Sequence, residues 1–389
     1  MSNSTAATPS SASRASRVRR FTSTTGCRYR GHRRMSGLCH RRSSQRGRDR
    51  MKRRAFTHLA TAGVAMTAIG GVARAQVKEI RIIEAGGKSG ESIDEYIKPF
   101  RTKTGINCVR ENPNPLGKLR AMVESGKITA CLFELGSDSA AQARGLKLIE
   151  PLDWDAIAPQ PMFPEARTEF GLGYQYFSTV MAWRKGVKEP KSWADFFNTK
   201  DFPGKRVLPD YPQYCLAFAL LADGVAPDKL FPLDVDRALK KLGTIKRDIA
   251  VLWKAGAQPP QLLNDNEVQY AISWSGRVAG QPKIAFTFNQ GMFDLSYICV
   301  PKGAAKEERA AAMKLLHEMT VVQNQAKAAE VVSYTGCSPE LEALLPKDKI
   351  NEFPTTKANK SVQWQQNAEW WRDNGEMVDK KWEQFRLNL

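Results

Sequence analysis

An α/β architecture, with mixed sheets flanked by helices and the chain divided into two units, is predicted from three observations. Short apolar runs alternate with amphipathic stretches of about 10–15 residues from residue 79 onward. The alternation stops at a Pro- and aromatic-rich stretch, Pro159 to Tyr176, and then resumes as a second set. The 389 residues are 42% hydrophobic and 25% charged, a globular composition long enough for two domains.

Residues 79–84 (EIRIIE) read as a strand, followed by the Gly86-Gly87-Lys88-Ser89-Gly90 turn and a helix over 92–103 that Gly105 ends. A strand at 106–110, a helix at 116–125 and a buried strand at 129–135 follow, and 145–151 closes the first unit. Residues 177–183 form a strand, and Ser192 caps the helix of Trp193-Ala194-Asp195-Phe196-Phe197. The second set has a strand at 205–208, a helix at 212–222 ended by Gly224, an amphipathic helix at 234–244, a strand at 250–254 and a short helix at 261–266. Strands at 270–274 and 284–288 precede a run at 295–301 and a helix over 306–332. The tail, 358–389, is rich in Trp and charge and reads as two surface helices clamping one unit. Trp193 and the tail residues Trp364, Trp370, Trp371 and Trp382 are packing anchors in this reading.

The formal charge of +19 points toward a polyanion partner until it is located. Residues 1–75 hold 17 Lys and Arg and one acid, Asp49, which leaves the remainder at +3. A near-neutral body behind a basic leader predicts no nucleic-acid partner. Residues 1–50 lack apolar periodicity and are expected to be a disordered basic extension, a mistaken start upstream of Met51. From Met51 the pattern is that of a secretory signal peptide over 51–75. Met51-Lys52-Arg53-Arg54 is the basic region, a soft apolar stretch follows, and Ala73-Arg74-Ala75 is the cleavage signal. Arg53-Arg54 fits twin-arginine export, and Sec export fits as well. The apolar stretch is too short and mild for a membrane anchor. A periplasmic location follows.

The exported part carries five cysteines, Cys108, Cys131, Cys215, Cys299 and Cys337, with no CxxC. Buried thiols are expected, with at most a Cys108–Cys131 bridge. One histidine, His317, lies in an amphipathic helix and is read as structural. Serine and cysteine triads and His-based metal sites therefore lack a base or a ligand, so no enzyme, metal or cofactor is expected. Gly87-Lys88-Ser89 would end a P-loop, but the required glycine five positions earlier is Ile82.

Several segments, in order along the chain, carry a resemblance. They are Pro99-Phe100 with Thr104-Gly105-Ile106, PKSWADFF over 190–197, and Phe202-Pro203-Gly204-Lys205-Arg206. Ala222-Asp223-Gly224-Val225, Trp274-Ser275-Gly276-Arg277 and Val300-Pro301-Lys302-Gly303-Ala304 complete the set. The chain resembles the periplasmic solute-binding proteins of ABC importers, in the branch of the spermidine/putrescine receptors. The resemblance implies a two-lobed fold of type II with a ligand cleft and hinge closure. Lobe one would hold 77–178 and 297–389, and lobe two 186–290, with the hinge at about 179–185 and 291–296. It implies a monomer that binds a small molecule and delivers it, unaltered, to an ABC permease in the inner membrane.

An organic cation asks a cleft for aromatic faces and carboxylates. Strand C-termini are where open α/β sheets present such groups. The candidates are Glu84, Lys88 and Ser137 in lobe one, and Tyr174, with Tyr176 as its alternate, before the first crossing. Asp210, Tyr211, Tyr214 and Trp274 belong to lobe two, and Asp294 and Tyr297 to the second crossing. Plainer uses stand beside these: core packing for Trp274, a helix cap for Asp210, a turn acid for Asp294. By resemblance, polyamine receptors carry an acidic pair after the Pro-Gly-Lys strand, but Asp210 is followed by Tyr211, Tyr214 and Ala217. A polyamine-like cation is favoured. A smaller cation, or a zwitterion with its carboxylate on the Gly86–Ser89 loop or Arg277, fits equally. An organic anion or a sugar is a further alternative, and a secreted hydrolase using paired carboxylates is a weaker one.

Overall fold

The computed structural model describes residues 77–389, which lie within one compact unit. The expected extension at 1–50 and signal peptide at 51–75 lie outside the described residues. The strands are β1 (Glu79–Ile83), β2 (Asn107–Glu111), β3 (Leu132–Gly136), β4 (Ile149–Glu150), β5 (Leu172–Arg184), β6 (Arg206–Pro209), β7 (Ile249–Trp253), β8 (Tyr270–Trp274), β9 (Ile284–Pro301) and β10 (Trp364–Gln365). The main sheet runs β2-β1-β3-β9-β5-β8-β6-β7, with β4 and β10 pairing along β9.

The mixed sheet has a simple logic. β2-β1-β3 is a parallel trio built from strand–helix–strand units, and β8-β6-β7 is another. The long antiparallel pair β5–β9 joins them. β3 takes residues 296–299 of β9, while β8 takes residues 179–183 of β5. Halfway along, the register slips: Thr179 faces Met292, but Met181 faces Thr287. The excess β9 residues bulge out, with Gln290 at φ 54°. The indoles of Trp193 and Trp364 both donate to the Gln290 carbonyl, at 3.0 and 3.1 Å.

Each trio has a core on both faces, as alternating strand side chains require. Ile80, Ile82, Phe100, Leu132 and Leu315 pack on one face of the first trio, and Ile83, Leu119, Phe133 and Leu148 on the other. Trp193, Phe196, Leu208, Phe218 and Leu242 pack on one face of the second, and Val207, Trp253, Leu263 and Ala271 on the other. The Pro-Gly-Lys-Arg motif is explained by Arg206, which is fully buried. Its guanidinium donates to the carbonyls of Phe196, Phe202 and Gly204 and lies 4.7 Å from the Tyr270 ring centre.

The structure departs from the sequence reading at several boundaries. The runs at 284–288 and 295–301 are one strand, because the bulge keeps β9 paired through the gap. The segment after β6 begins as a single 3-10 turn, Pro212–Tyr214, before the helix Leu216–Ala222. The 306–332 helix breaks at extended Val321 into Lys306–Thr320 and Val322–Val331. Thr320 drives the break: its hydroxyl donates to His317 O and accepts the Gln160 N–H. The turn at 86–90 is helical from Gly87 to Ser92. All five described cysteines are free and buried. His317 Nδ1 bonds the carbonyls of the Ile157–Ala158 corner, a structural use.

The tail also differs. One helix, Ala368–Arg386, spans both trios rather than clamping one. Near its start, Glu369 pairs with Arg144 of the helix Ser137–Gly145 at 2.7 Å. Towards its end, Lys381 pairs with Asp236 of the helix Val235–Gly243 at 2.6 Å. Trp371, Val378 and Trp382 enter the core of the second trio.

Candidate functional site

An aromatic cluster forms where the ends of β6, β7 and β8 meet the middle of β5. Trp274, the last residue of β8, is its centre. Ring centres lie 4.9 Å away for Trp253, 5.9 Å for Tyr214, 6.2 Å for Phe177 and 6.5 Å for Tyr211, mostly edge to face. Tyr334, from the segment after the helix Val322–Val331, reaches Phe177 at 6.0 Å. The Trp274 indole N–H is buried with no hydrogen-bond partner.

The Trp-Ser-Gly-Arg sequence has a local reason at each position. Ser275 starts a short helix and its hydroxyl accepts the Ser178 N–H at 3.3 Å, which fixes β8 against β5. At Gly276 a Cβ would lie 2.5 Å from the Tyr334 ring, so only glycine admits that ring. Arg277 then turns back over the cluster. Its guanidinium lies beside the Tyr334 hydroxyl and 3.0 Å from where a Gly87 Cβ would stand. Gly87 has φ +60°, so the approach uses glycine twice over. Arg277 Nε is buried without a hydrogen-bond partner. Among the described residues no carboxylate pairs with Arg277; Glu91, whose field it feels, is bonded to Lys88.

The opposite charge comes from β9. Asp294 is 4% exposed; its Oδ1 accepts from Ser137 Oγ and from Leu295 N. Its Oδ2 has no partner within hydrogen-bond distance, with the Tyr214 hydroxyl beside it. Burial pushes the Asp294 carboxyl up to about 7; the Ser137 hydroxyl opposes the shift and the Asp138 charge adds to it. Asp138, at the start of the helix Ser137–Gly145, is itself raised by burial and accepts from Gln213 Nε2 at 3.4 Å. Glu134, inside β3, is a further buried carboxyl raised by burial.

The structure brings Tyr211, Tyr214, Trp274, Asp294 and Ser137 of the sequence candidates into this neighbourhood. It engages the others elsewhere. Glu84 is fully buried and bonded to Arg110 at 3.0 Å. Lys88 is exposed and pairs with Glu91 at 2.6 Å. Asp210 caps no helix: it accepts from Trp382 Nε1 at 3.1 Å and Arg386 Nη1 at 2.6 Å. Tyr297 donates to Glu165 O at 2.9 Å. Tyr174 is buried against Tyr96, beside Glu134, with its hydroxyl unpartnered. Tyr176 stacks on Phe293 beneath Lys360. Phe177, Trp253, Tyr334 and Glu134 were not singled out by the sequence. Only Glu134 carried a signal, an acid inside an otherwise apolar strand, TACLFEL.

Among the described residues no group of His, Cys, Asp and Glu could hold a metal ion, and no helix is long and apolar enough to cross a membrane.

Comparison with known proteins agrees with this architecture. Residues 95–376 match the family of bacterial extracellular solute-binding proteins. A γ-aminobutyric acid-binding protein of Pseudomonas aeruginosa is 33% identical over 340 residues, covering 84% of this chain and 95% of that protein. An ABC transporter substrate-binding protein from Bradyrhizobium japonicum is 34% identical, with TM-score 0.74 over 79% of this chain and 99% of that one. A structure described as a GABA receptor is 32% identical, with TM-score 0.72 over 79% and 97%. A spermidine/putrescine substrate-binding protein from Streptococcus pneumoniae shares the fold at TM-score 0.63 but only 15% identity over 79% and 99%. The chain therefore belongs to the bacterial extracellular solute-binding proteins, the non-enzymatic ligand receptors of ABC importers.

Proposed function

We propose that this receptor binds a small ω-amino acid of the γ-aminobutyric acid type, a zwitterion, rather than a polyamine. The observation that carries the reading is a pair of opposite, unsatisfied groups at one aromatic cluster: Arg277 without a carboxylate, and Asp294 with an unpartnered oxygen. A guanidinium fork suits the ligand carboxylate. Asp294 and the faces of Trp274, Tyr214 and Phe177 suit an ammonium group, each ring adding about 0.5–2 kcal/mol by cation–π attraction. Two relatives above 30% identity are described as binding this amino acid, which supports the same choice.

The two parallel trios are the lobes in this reading, and β5 and β9 are the crossing strands. The slip between Thr179 and Met181 is the bend about which they close, within the hinge at 179–185 and 291–296 read from the sequence. Gln213 to Asp138 is a hydrogen bond between the two sides of the cleft. Family membership places the mature protein outside the cytoplasm; a signal peptide over 51–75 is the proposed route.

Thermal-shift and calorimetric titration test the ligand. A ligand bound only by the folded state raises the melting temperature according to RT ln(1 + [L]/Kd). γ-Aminobutyric acid is expected to do so, without being transformed, and putrescine is not. A shift with putrescine or spermidine and none with γ-aminobutyric acid would reverse the assignment. Trp274→Ala is expected to lose affinity by about 10-fold to 100-fold, one to two ring contacts' worth, while remaining folded. Unchanged affinity would remove Trp274 from the site.

A further inference from the structure

Asp294 stands directly opposite Phe177 in the β5–β9 pair, so their side chains share one face of the sheet. Ring centres put Phe177 6.2 Å from Trp274 and 6.4 Å from Tyr214, which sets the carboxyl at the aromatic cluster. The two carboxyl oxygens are held differently. Oδ1 accepts from Ser137 Oγ and, at 2.8 Å, from the Leu295 N–H, while Oδ2 is buried without a partner. Ser137 arrives there by topology. β3 runs antiparallel to β9 with Gly136 facing Ser296, so the next residue comes up alongside residues 294 and 295. Gly136 leaves the room for this: a Cβ there would lie 3.2 Å from Asp138 Oδ1 and 3.7 Å from the Tyr214 hydroxyl. Ser137 opens the helix Ser137–Gly145, but no side chain caps that helix. Its hydroxyl is given to Asp294 instead.

We propose that Ser137 is a positioning residue of the ligand site, holding one oxygen of Asp294 so that the other faces the ligand's ammonium group. The inference rests on the reading of Asp294 given above. The last torsion of an aspartate is soft and roughly two-fold. With the Leu295 N–H alone on Oδ1 the carboxyl could swing; a second donor from another element fixes its plane and leaves Oδ2 aimed at the cluster. The bond does a second thing. A hydroxyl donates more strongly to an ionised carboxylate than to a neutral one, so Ser137 favours the anion that an ammonium group needs.

The surroundings give that anion little other support. The titratable groups that face Asp294 are Asp138 on the same helix as Ser137, the Tyr214 hydroxyl from the turn Pro212–Tyr214, and Tyr297 farther along β9. Asp138 is of like charge and takes Gln213 Nε2, and the Tyr297 hydroxyl donates to Glu165 O. Among the described residues no Lys or Arg pairs with Asp294; Arg277, at the same cluster, pairs with no carboxylate and its Nε has no partner. The Ser137 bond therefore stabilises the fold where Asp294 is ionised, and that contribution fades as falling pH protonates the carboxyl.

The test titrates full-chain wild type, Ser137→Ala and Ser137→Cys with γ-aminobutyric acid from pH 6 to pH 9, and melts the unliganded proteins at pH 5 and pH 8. Ser137→Ala should bind about 10-fold more weakly at pH 8. The pH below which its affinity falls should lie about one unit above that of wild type, because the carboxylate has lost a donor. Ser137→Cys, which keeps the size and weakens the donor, should shift in the same direction by less, and it carries the test if Ser137→Ala does not fold. Unliganded Ser137→Ala should melt about 3 °C below wild type at pH 8, with the gap narrowing at pH 5. A role in packing or in the helix alone would lower the melting temperature equally at both pH values and leave the pH profile of binding in place. That result, or an affinity within about threefold of wild type at pH 8, would overturn the inference. Wild type that does not bind γ-aminobutyric acid at all would refute the reading of the site instead, and the melting curves would still decide whether Ser137 supports the Asp294 anion.

Discussion

Asp294→Asn should weaken γ-aminobutyric acid binding by about 30-fold or more and, in the same protein, raise the melting temperature of the unliganded chain at pH 8. Both effects come from one carboxylate. In the proposed bound state Asp294 is the anion that meets the ammonium, and deleting one partner of a buried charge pair costs about 2–5 kcal/mol, a loss of roughly 30-fold to several thousand-fold. In the unliganded state it is 4% exposed with one oxygen unpartnered, so its charge destabilises the fold. Its pKa is raised to about 7, from the 3.8 of a free aspartate, so its proton contributes stability below pH 4 that is lost as pH rises through 7. The variant's advantage should therefore appear at pH 8 and vanish near pH 4. The same group sets the pH dependence of binding. The ligand needs the ionised form, so wild-type Kd should be flat above pH 7 and rise about tenfold per unit below it, while Asp294→Asn should show no such dependence. Calorimetric titration between pH 5 and pH 8 reads both trends. An unliganded variant less stable than wild type at pH 8, or one that binds normally, would refute the assignment.

Arg277→Ala should cost at least 100-fold in affinity, and Arg277→Lys at least about 10-fold, because an ammonium keeps the charge but loses the two-pronged geometry. Neither change should unfold the protein. Arg277 pairs with no carboxylate among the described residues and packs by its guanidinium against Gly87 and Tyr334. A ligand lacking the carboxylate, such as a simple alkylamine, should bind wild type weakly and be affected little or favourably by Arg277→Ala. Equal losses for amino acid and amine would place the arginine away from the ligand carboxylate.

Residues whose role depends on nearby chain were legible in the sequence, and those whose role depends on distant chain were not. Trp274 ends a strand and Arg277 follows in the short helix that starts at Ser275, so their place just past a strand's C-terminal end follows from local pattern. Asp294 was marked as a crossing acid, but its partner Ser137 lies 157 residues away. Asp210 looked like a cleft carboxylate for the same reason as Asp294. Its partners, Trp382 and Arg386, lie more than 170 residues downstream, and no local pattern announces them. Tyr334 and Phe177 were missed because each sits in an apolar or irregular stretch indistinguishable from core until the chain closes around it. The polyamine-like reading came from the resemblance carried by the ordered sequence segments. The absence of a second acid after the Pro-Gly-Lys strand, together with Arg277, already argued the other way.

The helix Ala368–Arg386 bears on how the protein is made. The hydrophobic interior around Phe218 and Leu242 takes Trp371, Val378 and Trp382 from the last two dozen residues of the chain. Asp210 finds its two donors, Trp382 and Arg386, in the same helix. The interior of the second trio thus closes only when a helix more than a hundred residues downstream of Leu242 has docked on it.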